Sequence, residues 1–513
     1  MLITNKRRGS IMKNIMYAFI IFFASMLLVP SAGMADQDIR FEEKTTPLVK
    51  AIEGYQIIVE SMLPSTDSMH VACVARKGNK FCVIYDGKPQ KEYNAIAKGT
   101  PVFSPDSQSY VYKAQQGIKW LIIRNGREEE AFDNVSIPQF SPDSKHLAYI
   151  AEDGGRQFVV LDGKKQQEYD GIPQEKNLIF SKDSSKLAYV AIKDNKMVMV
   201  VNGKEKKVYD RVSYPVFSSD SEHLAYPAQI GDKGFMVLDD KEGPQYDNTG
   251  VFKFSPDSSR LYYAARIGDK AVMISDGEKG PAFDDVGMPF FSNDSKHMSY
   301  MGIDGKKMVM VFDGKVGKKY EEIRDFAYSP DSSRTFMSVK KAESWYAIID
   351  GKEQVEYSQI FFPGFSPDSK KCHYIAMKGG KWLNVIAGEE SAQYDYATMV
   401  QFSPDSKHYF FMAKKGEKWV VVRDGKESKE YDGVAVPLFS PDSQHLAFTA
   451  AEGNSWFVVY DGNECKERFT GFMKGSNLEF ISDNAMYILG IQLAIMSATQ
   501  ADMNIVKYDI SVN

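Results

Sequence analysis

Aspartates recur at one spacing along this chain, and carboxylates gathered in this way could attract cations. Each stands seven residues before the next copy of a repeated phrase, nearly always behind Tyr or Phe. On one surface they would bind a cationic ligand, a metal ion or a basic protein surface. Alternatively, each caps its own loop by accepting hydrogen bonds from backbone N–H groups. The residues are Asp133, Asp210, Asp247, Asp284, Asp395 and Asp432, with Asp170 as the counterpart in a longer loop.

All seven histidines fall near one position of the same repeat, which suggests a metal site. His146, His223, His297, His408 and His445 stand six residues after the start of their phrase, and His70 and His373 one or two residues further on. Other copies carry Ser109, Lys186, Arg260 and Arg334 at this position. Because His, Ser, Lys and Arg all occur at this repeat position, we predict that it is a polar position at the start of a strand and not a metal site. Neither a metal nor a cofactor is predicted.

The five tryptophans are as regular as the histidines. Trp120, Trp345, Trp382, Trp419 and Trp456 each stand 17 residues after the start of their phrase. Other copies carry Met197, Met308 and Ala271 there. This exchange of apolar residues favours packing between repeat units over an exposed sugar-binding platform.

The four cysteines predict at most one disulfide. Cys73 and Cys82 flank a polar segment, and a two-residue turn at Lys77-Gly78 would place the two side chains opposite each other. An exported protein permits a disulfide between them, and two free thiols are the alternative. Cys372 and Cys465 have no evident partner and are predicted to be buried apolar side chains.

Short catalytic signatures are missing from the sequence. It contains no Gly-x-Ser-x-Gly, no His-Glu-x-x-His and no Gly-x-x-x-x-Gly-Lys-Ser/Thr. We therefore predict no enzymatic activity, although a catalytic site made of dispersed residues would leave no such signature.

The phrase that positions these residues is Phe-Ser-Pro-Asp-Ser. From Phe180 to Phe439 its copies begin at intervals of 37 residues. A period of this size is typical of repeat architectures. Intact copies begin at Phe103, Phe140, Phe254, Phe365, Phe402 and Phe439, altered copies at Phe180, Phe217, Phe291 and Tyr328, and weaker ones at Leu63 and Phe480.

One unit, residues 402–438, predicts four short antiparallel strands. Ser-Pro-Asp-Ser forms a tight turn between the first two strands, and Asp424-Gly425 is a hairpin signal between the last two. Four such strands match one blade of a β-propeller. The predicted fold class is all-β, a β-propeller built from about twelve four-stranded blades of about 37 residues each.

The pattern Pro-x-Phe-Ser-Pro-Asp-Ser-Lys-x-Leu-Ala-Tyr, seen at residues 138–149, resembles the propeller repeat of TolB-type and related WD-repeat-like proteins. In that family the turn commonly reads Ser-Pro-Asp-Gly-Lys, whereas here Ser replaces the Gly in every intact copy. The resemblance covers nearly the whole chain after residue 35. It implies a propeller in the periplasm or cell envelope with another protein as partner.

Twelve phrases can be arranged in two ways. Two tandem propellers of about six blades, residues 36–285 and 286–513, are preferred because ordinary propellers have about 4–8 blades. A single large ring is the alternative, because the 37-residue rhythm continues across residue 285. Before the first phrase, residues 55–59 predict a strand, and residues 504–510 predict another at the C-terminus. Propellers commonly pair an N-terminal strand into the last blade, and such pairing here would bring the two ends of the chain together.

Residues 1–35 are predicted to be a secretory signal peptide. Lys6, Arg7, Arg8 and Lys13 form a basic head, an apolar core follows, and small residues lead to a cleavage site after Ala35. An uncleaved membrane anchor is the alternative. Removing these residues leaves 59 basic and 68 acidic residues, a net charge of −9, which argues against nucleic acid as a partner.

The sequence predicts an exported, non-enzymatic β-propeller that binds another protein. Its predicted location is the periplasm or cell envelope, as the resemblance implies, or the outside of the cell. The seven aspartates would lie on the rim formed by the loops after the second and fourth strands, where propellers often bind ligands. One alternative is a carbohydrate-active propeller enzyme of the polysaccharide lyase type. Another is a purely structural spacer within an envelope assembly.

Overall fold

The computed structural model describes residues 40–50, 52–173, 178–497 and 500–512, and their regular secondary structure is entirely β. The predicted signal peptide, residues 1–35, lies outside the described residues. From Phe41 onward the chain forms one compact unit. Within the described ranges, no helix is long and apolar enough to span a membrane.

Twelve antiparallel sheets follow one another as the blades of a β-propeller, numbered 1 to 12 here. In blade order, the first strands are Gln56–Pro64, Ala95–Ile96 with Val102–Phe103, Asn134–Val135 with Gln139–Phe140, Ile179–Phe180, Arg211–Val212 with Val216–Phe217, Asn248–Phe254, Asp285–Val286 with Phe290–Phe291, Glu322–Tyr328, Gln359–Phe365, Tyr396–Ala397 with Gln401–Phe402, Gly433–Phe439, and Gly471–Phe472 with Glu479–Ser482. The second strands are Val71–Lys77, Tyr110–Gln116, Leu147–Asp153, Leu187–Lys193, Leu224–Ile230, Leu261–Ile267, Met298–Asp304, Thr335–Lys341, Cys372–Lys378, Tyr409–Lys415, Leu446–Glu452 and Ala485–Ser497. The third strands are Lys80–Tyr85, Lys119–Arg124, Arg156–Leu161, Lys196–Val201, Lys233–Leu238, Lys270–Ser275, Lys307–Phe312, Ser344–Ile349, Lys381–Ile386, Lys418–Arg423, Ser455–Tyr460 and Gln500–Val512. The fourth strands are Lys88–Pro89, Arg127–Glu128, Lys164–Tyr169, Lys204–Tyr209, Lys241–Glu242, Glu278–Lys279, Lys315–Tyr320, Lys352–Tyr357, Glu389–Glu390, Lys426–Glu427, Asn463–Glu464 and, for blade 12, Phe41–Val49.

The core lies between blades, because the second and third strands are apolar on both faces. In blade 3, Ile150 and Val159 are buried against Leu187 and Tyr189 of blade 4. First strands of neighbouring blades also contact one another, as Glu322–Tyr328 and Gln359–Phe365 do. The first strands therefore surround the centre of the ring, and the short polar fourth strands form its outer edge.

The repeated phrase forms the predicted tight turn. In blade 10, the Ser403 hydroxyl donates to Asp405 Oδ1 at 2.7 Å, and the same oxygen accepts the Lys407 N–H at 3.1 Å. Ser406 has a left-handed backbone with φ of 63°. This conformation explains why the related repeats carry Gly at the same place.

The Ser that replaces Gly has a structural role, because it joins neighbouring blades. The Ser406 hydroxyl accepts the backbone N–H of Asp368, in the turn of the preceding blade, at 2.9 Å. A glycine could not make this hydrogen bond. The same link joins Asp67 to Ser107, Asp106 to Ser144, Asp143 to Ser184, Asp183 to Ser221, Asp220 to Ser258, Asp257 to Ser295, Asp294 to Ser332, Asp331 to Ser369 and Asp405 to Ser443.

Blade 12 closes the ring with strands from both ends of the chain. Phe41–Val49 pairs antiparallel with Gln500–Val512, so an N-terminal strand does close the ring. It is not the strand predicted at residues 55–59, which instead lies in Gln56–Pro64, the first strand of blade 1. The Asp442 N–H donates to Asp483 Oδ1 at 2.9 Å, which joins blade 11 to blade 12. The Tyr487 hydroxyl donates to the Asp67 carbonyl at 2.6 Å, which joins blade 12 to blade 1.

The structure is one twelve-blade ring, which corrects the preferred arrangement of two propellers divided at residue 285. Contacts between blades continue across that residue: the Asp257 N–H donates to Ser295 Oγ at 2.9 Å, and the Asp284 N–H donates to the Ile303 carbonyl at 2.8 Å. One buried cluster likewise joins Tyr262 of blade 6 to Tyr300 of blade 7. The physical reason is that every blade offers its neighbour the same surface.

Of the two alternatives for Cys73 and Cys82, the structure has two free thiols and not the disulfide. Lys77 pairs with Lys80, so the turn lies at Gly78-Asn79, one residue later than predicted. This register places Cys73 opposite Ile84 and Cys82 opposite Ala75. All four cysteines are buried free thiols, as predicted for Cys372 and Cys465.

Candidate functional site

The seven aspartates predicted as a binding rim lie between blades and are engaged by the protein itself. Asp210 shows the arrangement: its Oδ2 accepts the Gly231 N–H of the next blade at 2.7 Å, and its Oδ1 lies 3.1 Å from Lys196 Nζ of its own blade. The carboxylate therefore fixes the neighbouring turn after the second strand. This is a cap, although it caps the next blade's turn rather than the residue's own loop.

The other six aspartates repeat this geometry. The backbone N–H donors belong to Gly154, Asp194, Gly268, Gly305, Gly416 and Gly453, for Asp133, Asp170, Asp247, Asp284, Asp395 and Asp432 respectively. In the same order, the cationic partners are Lys119, Arg156, Lys233, Lys270, Lys381 and Lys418.

These contacts hold the carboxylates in the ionised state. The Lys233 ammonium and then the Gly268 N–H lower the pKa of Asp247, and the Gly231 N–H and then Lys196 lower that of Asp210. The pKa of each of the other five is lowered as well. Each negative charge is thus balanced by a neighbouring cation, and a ligand role for these aspartates remains a prediction.

The histidines lie on the opposite rim, and six of the seven are paired with an aspartate of the hairpin turn after the third strand. His146 Nδ1, for example, lies 2.7 Å from Asp162 Oδ2, while Asp162 Oδ1 accepts the Leu147 N–H at 2.9 Å. The same pairs are His70–Asp86, His223–Asp239, His297–Asp313, His408–Asp424 and His445–Asp461. This geometry agrees with the predicted structural role.

His373 differs from the other histidines because it is buried. Burial lowers the pKa of its imidazole to about 4. Its ring contacts Phe402 of the next blade with centroids 5.5 Å apart, and its Nδ1 has no hydrogen-bond partner within the described residues. A neutral imidazole here acts as a packing residue. Among the residues that the structure describes, no group of three or more His, Cys, Asp or Glu side chains is placed to hold a metal ion.

The tryptophans pack between blades, as predicted. Trp345 is fully buried, and the other four are partly buried. Trp382 of blade 9 lies between Phe361 and Tyr396, with centroid distances of 5.6 and 5.3 Å. Tyr396 in turn contacts Trp419 of blade 10 at 5.9 Å.

A set of exposed apolar side chains on the first strands was missed from the sequence. Each stands three residues before its phrase, where the first strand bulges or is interrupted. Each is a large apolar side chain that stays at least 38% exposed at the same position of its repeat. The signal was present in the sequence as an apolar residue at this spacing. The residues are Ile137, Tyr214, Val251, Met288, Phe362 and Met399.

Comparisons with known proteins found similar solved structures but no similar sequence. No protein-family profile matches the chain, and no curated protein sequence matches it. Among solved structures it is similar to a eukaryotic initiation factor, at 14% identity and a TM-score of 0.32, over 80% of this chain and 96% of that one. It is similar to the Dos1 propeller at 12% identity and a TM-score of 0.27, over 65% and 93% of the two chains.

The chain is also similar to TolB from Acinetobacter baumannii, at 12% identity and a TM-score of 0.22. That match covers 51% of this chain and 80% of TolB. The structural neighbours include TolB and other β-propellers.

Proposed function

We propose that this chain is an exported, non-enzymatic β-propeller that binds a protein partner in the periplasm or cell envelope. The observation that carries the proposal is an apolar surface on the first strands of blades 9 and 10. Phe362, Tyr396 and Met399 are 59, 42 and 46% exposed there. We call these three residues the inner apolar surface.

The composition around this surface is typical of a protein interface. Aromatic residues, Met and Arg are enriched where proteins bind each other. Beside Phe362, the Arg324 guanidinium lies 3.7 Å from the Trp345 ring centroid and 5.1 Å from that of Phe361. Arg324 also donates hydrogen bonds to Gln359 Oε1 and the Ile360 carbonyl, at 3.0 and 3.2 Å. The side chains that support the surface are thus ordered before any partner arrives.

Rigidity of the surrounding loops supports the same role. The aspartate caps fix the turns of neighbouring blades to each other, so the rim beside the inner apolar surface is preorganised. A preorganised surface loses less conformational freedom on binding, which favours affinity. Export rests on residues 1–35, whose composition is that of a signal peptide.

The test is an affinity capture from envelope extract with residues 36–513 as bait. A second bait carries Phe362→Ser with Met399→Ser, and a matched control carries Val316→Ser with Val355→Ser. The control residues are 50 and 65% exposed and lie on fourth strands at the outer edge. We expect a partner that binds the unchanged and control baits and is lost from the Phe362/Met399 bait. Equal capture by all three baits would contradict the proposed surface.

A further bait tests the predicted aspartate rim separately. It carries Asn at Asp210, Asp247, Asp284 and Asp432, which keeps a side-chain oxygen for each backbone N–H donor while removing the charge. If the partner is lost from this bait but kept by the Phe362/Met399 bait, the partner contacts the aspartates and not the inner apolar surface. The non-enzymatic role is checked by incubating the protein with acidic polysaccharides. Release of shortened, unsaturated chains would favour the lyase alternative instead.

A further inference from the structure

A cavity of about 890 Å³ opens between the first strands of blades 5 and 6. Its apolar wall includes Tyr214, Val251 and Met288, which belong to three consecutive blades. Its polar wall includes Arg211 and Asn248, which open the first strands of blades 5 and 6. This volume falls within the range of about 300–1,000 Å³ that is usual for small-molecule sites.

The cavity lies where blade 5 lacks the tryptophan of other blades. Gly234 occupies the position that carries Trp in five other blades, and Met197 occupies it in blade 4. Both residues line the cavity. In blade 9 the equivalent Trp382 fills the corresponding space by packing against Phe361 and Tyr396. Blade 5 has no indole to do this, so the space between its first strand and that of blade 6 stays open.

The charge inside the cavity is a single positive one. Arg211 is the only charged residue among the described residues that line it. It is exposed, and its guanidinium has no ion pair or hydrogen bond within the described part of the chain. The aspartates that precede the two strands cannot neutralise it without losing their present contacts, because Asp210 is bound to Lys196 and Asp247 to Lys233.

Asn248 adds a second polar group beside the apolar wall. Its side-chain oxygen accepts the Thr249 N–H at 2.9 Å, which orients the amide. The amide NH₂ group has no partner within the described residues and can donate to a ligand oxygen. A planar guanidinium with free donors matches the two oxygens of a carboxylate or a sulfonate.

We propose that this cavity binds a small amphipathic monoanion, an organic carboxylate or sulfonate with an aliphatic or aromatic body. Arg211 would hold the anionic group, and Asn248 would donate a further hydrogen bond to it. The apolar body would lie against Tyr214, Val251 and Met288. This site is separate from the inner apolar surface on blades 9 and 10, so either proposal can fail alone.

The test measures the fluorescence of the aromatic sulfonate 1-anilinonaphthalene-8-sulfonate bound to residues 36–513. Dodecanoate is then added, and displacement of the sulfonate is followed as a loss of fluorescence. Dodecyltrimethylammonium, which has the same chain length and the opposite charge, is the ligand control. We expect one site per chain, displaced by dodecanoate and not by the cation. Equal displacement by both would overturn the proposal, because the binding would then depend on apolar contact alone.

Two variants locate the site. Arg211→Gln should weaken binding of the sulfonate and of dodecanoate by about 10-fold or more, the loss expected for a charge-assisted hydrogen bond. Arg127→Gln is its control, since Arg127 is also exposed and unpaired within the described residues but lies on the fourth strand of blade 2. Unchanged binding in Arg211→Gln would refute the assignment.

Val251→Trp should abolish binding by filling the cavity, whereas Val355→Trp on a fourth strand should not. Val251 is 38% exposed and lines the cavity, so the larger side chain can extend into the open space without displacing the core. If Val251→Trp fails to fold by circular dichroism, the pair Arg211→Gln and Arg127→Gln still decides the outcome.

Discussion

Replacing Ser406 by Ala and by Gly separates the two physical effects that act at the turn serines. Ser406 is 3% exposed, and its φ is 63°. Its hydroxyl accepts the Asp368 N–H of the preceding blade at 2.9 Å. Alanine removes the hydrogen bond and keeps the left-handed strain, whereas glycine removes both.

The expected magnitudes follow from these contacts. Losing the hydrogen bond costs about 1 kcal/mol, and up to about 3 kcal/mol if the Asp368 N–H then finds no other acceptor. Relief of the left-handed backbone by glycine returns about 1 kcal/mol. Ser406→Ala should therefore reduce the free energy of unfolding by about 1–3 kcal/mol. Ser406→Gly should reduce the free energy of unfolding by about 1 kcal/mol less than Ser406→Ala does.

The assay is equilibrium urea unfolding followed by tryptophan fluorescence. Ser259→Ala is the control, because the Ser259 hydroxyl is exposed and, among the described residues, donates only to Asp257 of its own turn. If Ser406→Ala is no more destabilising than Ser259→Ala, the link between blades contributes nothing. If Ser406→Gly is as destabilising as Ser406→Ala, the reasoning about backbone strain is refuted.

Three further predictions concern the turns and the buried groups. The turn carboxylates of Asp143, Asp183, Asp294 and Asp405 have a pKa lowered to about 2, first by the hydroxyl of the Ser two residues earlier. A carboxyl group whose pKa is lower in the folded than in the unfolded protein stabilises the fold at pH values above its unfolded pKa. The stabilisation from these four carboxylates should therefore be lost as the pH falls from about 4 to about 2. Melting temperatures by circular dichroism should fall across that range, and a constant value would contradict the assignment. Burial raises the pKa of Cys73, Cys372 and Cys465 to about 12 and that of Cys82 to about 11. A thiol reagent should therefore label the four cysteines only after unfolding, and rapid labelling of the native protein would show that they are accessible. A Cβ at Gly364 would lie 2.5 Å from His373 Nε2, so Gly364→Ala should destabilise the fold by about 1–3 kcal/mol in the urea assay. An unchanged urea midpoint would show that the imidazole can move.

The blade could be predicted from the sequence because its signals are local. The Ser-Pro-Asp-Ser turn and the hairpin at Asp424-Gly425 fix the ends of successive strands within one unit, and the twelve sheets follow that pattern. The disulfide alternative for Cys73 and Cys82 is excluded for an equally local reason. Moving the turn from Lys77-Gly78 to Gly78-Asn79 changes the register, so that Cys82 faces Ala75 instead of Cys73.

Features that depend on neighbouring blades could not be predicted in the same way. Asp210 lies seven residues before its phrase in the sequence, but its hydrogen-bond donor, Gly231, is a turn residue of the next blade. The single ring likewise depends on how each blade packs against the next, which the 37-residue spacing does not specify. The cavity beside Arg211 follows from Gly234 at a tryptophan position, and its significance appears only once the neighbouring first strand is in place.

The described residues between Phe41 and Val512 form one closed ring of twelve blades. Electron-microscopy class averages of purified residues 36–513, viewed along the ring axis, test it most directly. A single ring with twelve radial densities is the expected result. Two smaller rings of about six blades each, joined near residue 285, would contradict it.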